Sequence, residues 1–166
     1  MHRLFLFVLG LWSLACGPNG DAESCPGGRP VAVFGPELAG LSGHRFSAEG
    51  QRSSELIRTS DGWQLELRQS GCENIVQDYT FILPAADTLT ALGGGAAAAP
   101  LFYRLGALGP DLLAYQDFAR ALEARRSELT DGREVTLVPG MRARVDRIGG
   151  AEEVIYRVVL RQGQPE

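Results

Sequence analysis

The chain has 166 residues, a length that suits one globular domain and hardly allows two. Its formal net charge of −4 at pH 7 gives it no reason to favour nucleic acid. The sixteen basic residues are all arginine and none is lysine. Because such exclusive use indicates a compositional bias, a cluster of arginines is weaker evidence than usual for bidentate recognition of an anion.

The beginning of the chain has the pattern of an export signal. His2 and Arg3 form a short basic start, and residues 4–14 are a nearly continuous apolar run. This run is shorter than the roughly 20 residues that a membrane-spanning helix needs, and it has the length of a signal-peptide core. We therefore predict a signal peptide over residues 1–15.

The apolar run ends in Ser13-Leu14-Ala15-Cys16. Ala15 and Cys16 resemble the lipobox of bacterial lipoproteins, in which a small residue precedes a cysteine that is acylated before cleavage. The resemblance covers only the signal and this cysteine, and it implies a fatty anchor, such as palmitate, on Cys16. Ser13 and Ala15 also satisfy the small-x-small rule of ordinary secretion, so release without a lipid is the alternative.

The residues after Cys16 are rich in glycine, proline and short polar side chains as far as Gly28. This composition is typical of a flexible tether, so we predict a tether over residues 16–28 and a single globular domain over residues 29–166. In bacteria with two membranes, Gly17 resembles the outer-membrane default of lipoproteins. The resemblance therefore implies an exported outer-membrane protein whose body faces the periplasm or the cell surface.

Three cysteines occur, at positions 16, 25 and 72. With a lipid on Cys16, Cys25 and Cys72 remain as an even pair in an oxidising compartment, and we predict a disulfide between them. The alternatives are a bond from Cys16 to either of them under ordinary secretion, or a free thiol. Metal binding fits poorly because the cysteines lack a paired-ligand spacing and His44 is the only histidine after the signal. We expect no cofactor.

The first part of the domain is predicted to be mainly β-structure. Residues 31–34 form a short β-prone run, and residues 37–51, rich in glycine and serine, are predicted to be a long loop. Residues 54–59 and 63–68 form a hairpin through an Asp-Gly turn that favours positive φ, and the second of these segments alternates apolar and polar side chains. A third strand is predicted at residues 75–83.

The middle of the chain is predicted to contain one main helix. Asp87 can cap a short helix that runs to Leu92 and is stopped by the glycines at 93–95. The apolar stretch 91–109 is predicted to be a loop followed by a packed segment, because its glycines and proline argue against a membrane span.

A helix is predicted over residues 110–127. Leu112, Tyr115, Ala119 and Leu122 recur at spacings of three and four, so they share one face of this helix. This stripe indicates a core-facing surface rather than a cofactor site.

The last part of the chain returns to strands, at residues 134–138, 141–148 and 153–161, with glycine-containing turns between them. The complete pattern predicts an α+β domain. It has an antiparallel sheet of about six strands, with one main helix between two three-stranded groups.

Few residues suggest catalysis, and none is assigned a catalytic role. His44 lies outside any nucleophile motif, and no phosphate-binding glycine motif occurs. Glu66 and Asp78, on adjacent predicted strands, are candidates for a glycosidase-like carboxylate pair. Solvated strand faces are the alternative for both.

Four arginines form the second candidate site. Arg142 and Arg144 share one face of a predicted strand, and Arg157 and Arg161 share a face of the next. A register that aligned the two strands would create an anion-attracting patch. An ordinary charged sheet surface is the alternative.

These features predict a lipid-anchored cell-envelope protein that acts as a non-enzymatic binding or structural module. Its expected partners are the membrane, through the lipid, and an envelope protein or glycan. The alternative is a secreted or anchored hydrolase that uses paired carboxylates. A hydrolase would need a concave pocket with two convergent carboxylates, whereas a binding module would show an exposed apolar or arginine-rich patch.

Overall fold

The computed structural model describes residues 30–71, 74–150 and 152–163. The predictions about the signal peptide, the tether and all three cysteines lie outside the described residues. Within these ranges, no helix is both long enough and apolar enough to cross a membrane.

Seven antiparallel strands within the described ranges form one sheet. They are β1 (Leu41–Glu49), β2 (Arg52–Thr59), β3 (Gln64–Ser70), β4 (Ile75–Pro84), β5 (Glu134–Val138), β6 (Met141–Gly149) and β7 (Glu153–Gln162). Their order across the sheet is β1-β2-β3-β4-β7-β6-β5. The pairing of β4 with β7 therefore joins the first four strands to the last three, and Tyr79 lies opposite Val158 at this junction.

Two α-helices lie between the two groups of strands in the sequence. They are α1 (Gly94–Gly106) and α2 (Ala114–Ala124), preceded by the short 3-10 turns Thr88–Ala91 and Pro110–Leu112. The predicted cap at Asp87 is confirmed, since its carboxylate accepts a hydrogen bond of 2.9 Å from the Leu89 N–H.

The predicted class, α+β with an antiparallel sheet, is confirmed. The details differ, because the described chain has seven strands rather than about six, in groups of four and three, and two helices rather than one. The predicted hairpin is also present. Gly62, in its Asp-Gly turn, has the expected positive φ of 94°, a conformation that glycine adopts without steric cost.

The predicted strand at residues 31–34 is wrong. This segment belongs to an N-terminal arm, residues 30–40, that precedes β1. The side chain of Phe34 is fully buried and stacks on Tyr115, with 6.1 Å between ring centroids. The backbone of the arm donates hydrogen bonds to the carboxylate of Glu55 instead of to a strand.

The predicted loop at residues 37–51 is also wrong, because β1 occupies most of it. β1 lies at the edge of the sheet and pairs along its length with β2, apart from a bulge between Leu41 and Gly43. Its polar, glycine-containing sequence is compatible with this position because an edge strand takes its backbone hydrogen bonds from one neighbour and buries little side-chain surface.

The predicted loop within residues 91–109 is wrong, since α1 begins directly after Gly93. A Cβ on Gly95 would lie 2.0 Å from the carbonyl oxygen of Leu129, so glycine is what allows the helix to approach this part of the chain. The helix continues past Pro100 because packing of its buried side stabilises it. Its buried apolar side chains are Ala97, Ala98, Ala99, Leu101, Phe102 and Leu105.

The two helices cover one face of the sheet, which we call the helix-side face; the opposite one is the outer face. The ring of Phe102 lies 4.9 Å from that of Tyr79 and 5.8 Å from that of Phe81, measured between centroids. The predicted apolar positions on β3, β4, α2 and β7 are all buried on this side. They are Leu65, Leu67, Tyr79, Phe81, Leu83, Tyr115, Ala119, Leu122, Val154, Tyr156, Val158 and Leu160.

Two buried phenols meet in this core. The hydroxyl of Tyr79 donates a hydrogen bond of 3.4 Å to the hydroxyl oxygen of Tyr115. Burial raises the pKa of Tyr79 well above its ordinary value. Burial also raises the pKa of Tyr115 to about 12; the hydrogen bond with Tyr79 acts in the opposite direction, and the charge of Glu55 adds to the increase. Both phenols therefore stay neutral in the folded chain at a pH that ionises an unfolded tyrosine.

We predict that this pair makes the fold sensitive to alkali. Its contribution to the free energy of unfolding is fully present below about pH 10, where an unfolded tyrosine ionises, and is lost as the pH rises towards 12. Denaturant midpoints measured across this range should fall, and they should fall less steeply for Tyr115→Phe. Tyr103→Phe, at a 41% exposed position, is the control. Identical slopes for Tyr115→Phe and the unmodified chain would contradict the prediction.

Candidate functional site

The four arginines of the predicted patch lie together on the outer face of the sheet. Arg142 and Arg144 are on β6, and Arg157 and Arg161 are on β7. The register places Arg142 directly opposite Arg161, while Arg144 and Arg157 flank Val159.

Each of these arginines has a carboxylate partner on the same face. The pairs are Arg142–Glu134 (3.5 Å), Arg161–Glu134 (2.9 Å), Arg144–Asp146 (3.1 Å) and Arg157–Asp78, in which Nε lies 3.0 Å from both carboxylate oxygens. The hydrogen bonds to Asp78 raise the pKa of Arg157. The side chains of this network cover Val159, which is only 3% exposed although it lies on the outer face.

The network therefore has a second role besides carrying charge. The Arg157–Asp78 and Arg142–Glu134 pairs join neighbouring strands, the Arg161–Glu134 pair reaches from β7 across β6 to β5, and the Arg144–Asp146 pair lies within β6. The arginine stems also shield an apolar residue from water. Since each guanidinium has an acidic partner, most of the local positive charge is compensated. Attraction of an anion to this patch stays a prediction.

A groove of about 770 Å³ opens beside this network, at the end of β1–β4 where the β1–β2 turn lies. Most of the residues around it are polar, and none is aromatic. The residues around it are Ser47, Ala48, Glu49, Arg52, Ser53, Ser54, Arg68, Gln69, Ser70, Val76 and Asp78. Short serine side chains between longer charged ones leave the space open. Hydroxyl and guanidinium groups of this kind can hydrogen-bond a polar ligand.

Of the predicted carboxylate pair, Asp78 lines the groove and Glu66 does not. The two residues do not face each other directly, because the register places Thr80 opposite Glu66 and Arg68 opposite Asp78. Each carboxylate is already engaged by a guanidinium: Nε of Arg68 lies 2.7 Å from Glu66, and Arg157 holds Asp78.

A third arrangement, on the helix-side face, involves a buried carboxylate. The side chain of Glu55 on β2 is completely buried. One of its oxygens accepts a hydrogen bond of 2.8 Å from the Val33 N–H, and the other accepts one of 2.9 Å from the Phe34 N–H. Nε2 of His44 on β1 lies 2.7 Å from the second oxygen. We call this arrangement the Glu55 clamp.

The clamp was missed at the level of sequence, although a signal for it was present. Glu55 precedes Ile57 by two residues in a strand of period two, so it falls on the same face as that buried side chain. An acidic residue in phase with the apolar side of a strand requires internal hydrogen-bond donors. The donors come from the arm, whose path the sequence did not indicate.

The clamp also limits the chemistry open to His44. Of the described side chains, only that of Glu55 is hydrogen-bonded to its ring. The nearby hydroxyl of Ser42 donates to the carbonyl oxygen of Thr59 instead. In the part of the chain that the structure describes, no group of three or more His, Cys, Asp or Glu side chains is placed to hold a metal ion.

Comparisons with known proteins give no match. No family model matches the sequence, and neither a curated protein nor a solved structure matches it. The case for a function therefore depends on the residues themselves and on their geometry.

We predict that the Glu55 clamp is a main source of stability. Glu55→Ala removes the acceptor for two buried backbone N–H groups and for His44, which should lower the free energy of unfolding by about 3 kcal/mol. Denaturant unfolding of the full chain measures this. Glu153→Ala is the control, at an exposed position on β7, and should leave the midpoint almost unchanged. Equal midpoints for the two variants would show that the Glu55 clamp does not stabilise the fold.

Proposed function

We propose that the protein is a lipid-anchored component of the cell envelope, whose body acts by binding a partner on the outer face of its sheet and not by catalysis. One observation carries the binding half of this proposal. No described element packs on the outer face, and a groove of about 770 Å³, surrounded mostly by polar residues, opens there.

The anchoring half rests on the sequence at Ala15-Cys16 and on the way in which the chain enters the body. A chain held at Cys16 would transmit any pull from the membrane through the tether to the N-terminal arm. The arm is fastened by the Glu55 clamp and by the burial of Phe34. An attachment of this kind suits a domain that is tethered by its amino-terminal end.

A binding role is supported by how the polar groups of the groove are arranged. Arg52 lines the groove and forms no ion pair with a described residue, while Ser47 and Ser70 add hydroxyl groups. These groups can form hydrogen bonds with a polar envelope protein or a glycan. The alternative, a hydrolase using Glu66 and Asp78, requires one carboxylate to deliver a proton, whereas each of them already binds an arginine.

The anchor is tested by the intact mass of the mature chain from the membrane fraction, with and without reductant. We expect a diacylglyceryl adduct on Cys16 and a mass that increases on reduction by the two hydrogens of one disulfide. Cys16→Ser should abolish both the adduct and the membrane association. A water-soluble mature chain with an unmodified amino terminus would contradict the proposal.

The binding role is tested by placing a photo-reactive amino acid at Arg52, in the groove, of the full chain in intact cells. We expect a discrete cross-linked partner at this position. The same substitution at Leu113, which is 53% exposed on the helix side, is the control and should give none. Equal labelling at both positions, or none at either, would contradict binding through the groove.

A further inference from the structure

β1 is an edge strand, and its turn fixes which of its backbone groups face outward. Glu49 pairs with Arg52 across a two-residue turn. In such a hairpin the residues that flank the turn form a hydrogen-bonded pair, and pairs along the ladder then alternate. The backbone groups of Ser47 and Glu49 therefore point to β2, whereas those of Phe46 and Ala48 point away from it. Among the described residues, no strand pairs with this outer edge.

The side chains of this edge have incomplete contacts on both faces of the sheet. Arg45 and Glu49, on the outer face, are exposed and form no ion pair with a described residue. Phe46, on the helix-side face, is only partly buried and does not join the packed core of described residues. Ala48, next on this face, is exposed.

We propose that two copies of the chain associate through β1, paired antiparallel with Ser47 of each copy on the twofold axis. In this register Arg45 of one copy lies opposite Glu49 of the other, and the symmetry repeats the pair. Phe46 lies opposite Ala48 of the second copy on the helix-side face. The partner is therefore a second copy of this chain, and the two sheets continue into one another.

The register follows from both charge and backbone. Phe46 and Ala48 are the residues whose N–H and C=O groups point outward, so each such pair exchanges both hydrogen bonds with the second copy. A twofold axis at Arg45 would instead place two guanidinium groups against each other. The bulge between Leu41 and Gly43 lies outside the paired segment 45–49, so it does not interrupt the new ladder.

Disulfide trapping tests this register directly. Two Ser47 residues on the axis would form a non-hydrogen-bonded pair with Cα atoms about 4.5 Å apart, within the range of a disulfide. Ser47→Cys in the full chain should therefore give an oxidised dimer on a non-reducing gel. The unmodified chain measures the background from the native cysteines.

Two cysteine controls separate this register from random collision. Cysteines placed at Arg45 would lie roughly 13 Å apart along the paired strands, and those placed at Thr136, on the opposite edge strand β5, would lie in separate parts of the dimer. Neither Arg45→Cys nor Thr136→Cys should exceed the background. Dimer from Ser47→Cys no greater than from these controls would overturn the proposal.

Charge reversal in the Ser47→Cys variant is a second test of the register. Arg45→Glu places like charges opposite each other twice and should reduce the yield of dimer about fivefold. Adding Glu49→Arg restores two opposite-charge pairs and should restore the yield. A yield that does not respond to either change would also overturn the proposed register.

Discussion

The carboxylate of Glu55 is the constraint around which the first half of the domain is arranged. A completely buried carboxylate is costly unless hydrogen-bond donors surround it. The N-terminal arm provides two of these donors and His44 provides a third. Because the arm must reach Glu55, Phe34 is brought against Tyr115, whose phenol in turn meets that of Tyr79. The carboxylate of Glu55 thus fixes the arm on β1 and β2, and the arm in turn places Phe34 against α2.

The two faces of the sheet have different roles. The helix-side face carries the core, and the outer face carries the arginine network and the groove. Ion pairs on an exposed sheet contribute little stability individually, but here their stems also bury Val159. The face remains uncovered by described elements, which makes it the part of the body best suited to meet a partner of the anchored protein proposed here.

Much of the fold could be predicted because alternation is a direct consequence of a sheet with one buried face. Leu65, Leu67 and Tyr156 have the period of two that marks β3 and β7. β1 lacks this alternation because it is an edge strand, which is held by backbone hydrogen bonds to β2 and buries few of its side chains. α1 was not predicted because Gly93 and the glycines after it have the local propensity of a loop. The candidate site was harder to predict from the sequence. The arginines could be placed on strand faces, but their partners, the groove and the clamp depend on strand register and on the path of the arm, which sequence spacing does not determine.

Hydrogen exchange at the backbone amides of Val33 and Phe34 tests directly whether the carboxylate of Glu55 holds the N-terminal arm. If Glu55 accepts both N–H groups in the buried core, these amides should exchange as slowly as those between β2 and β3, and Glu55→Ala should release them selectively. The nearby amide of Val31, whose side chain is 72% exposed, gives the rate of an unfastened arm. Exchange of Val33 and Phe34 at that rate would show that Glu55 does not hold the arm.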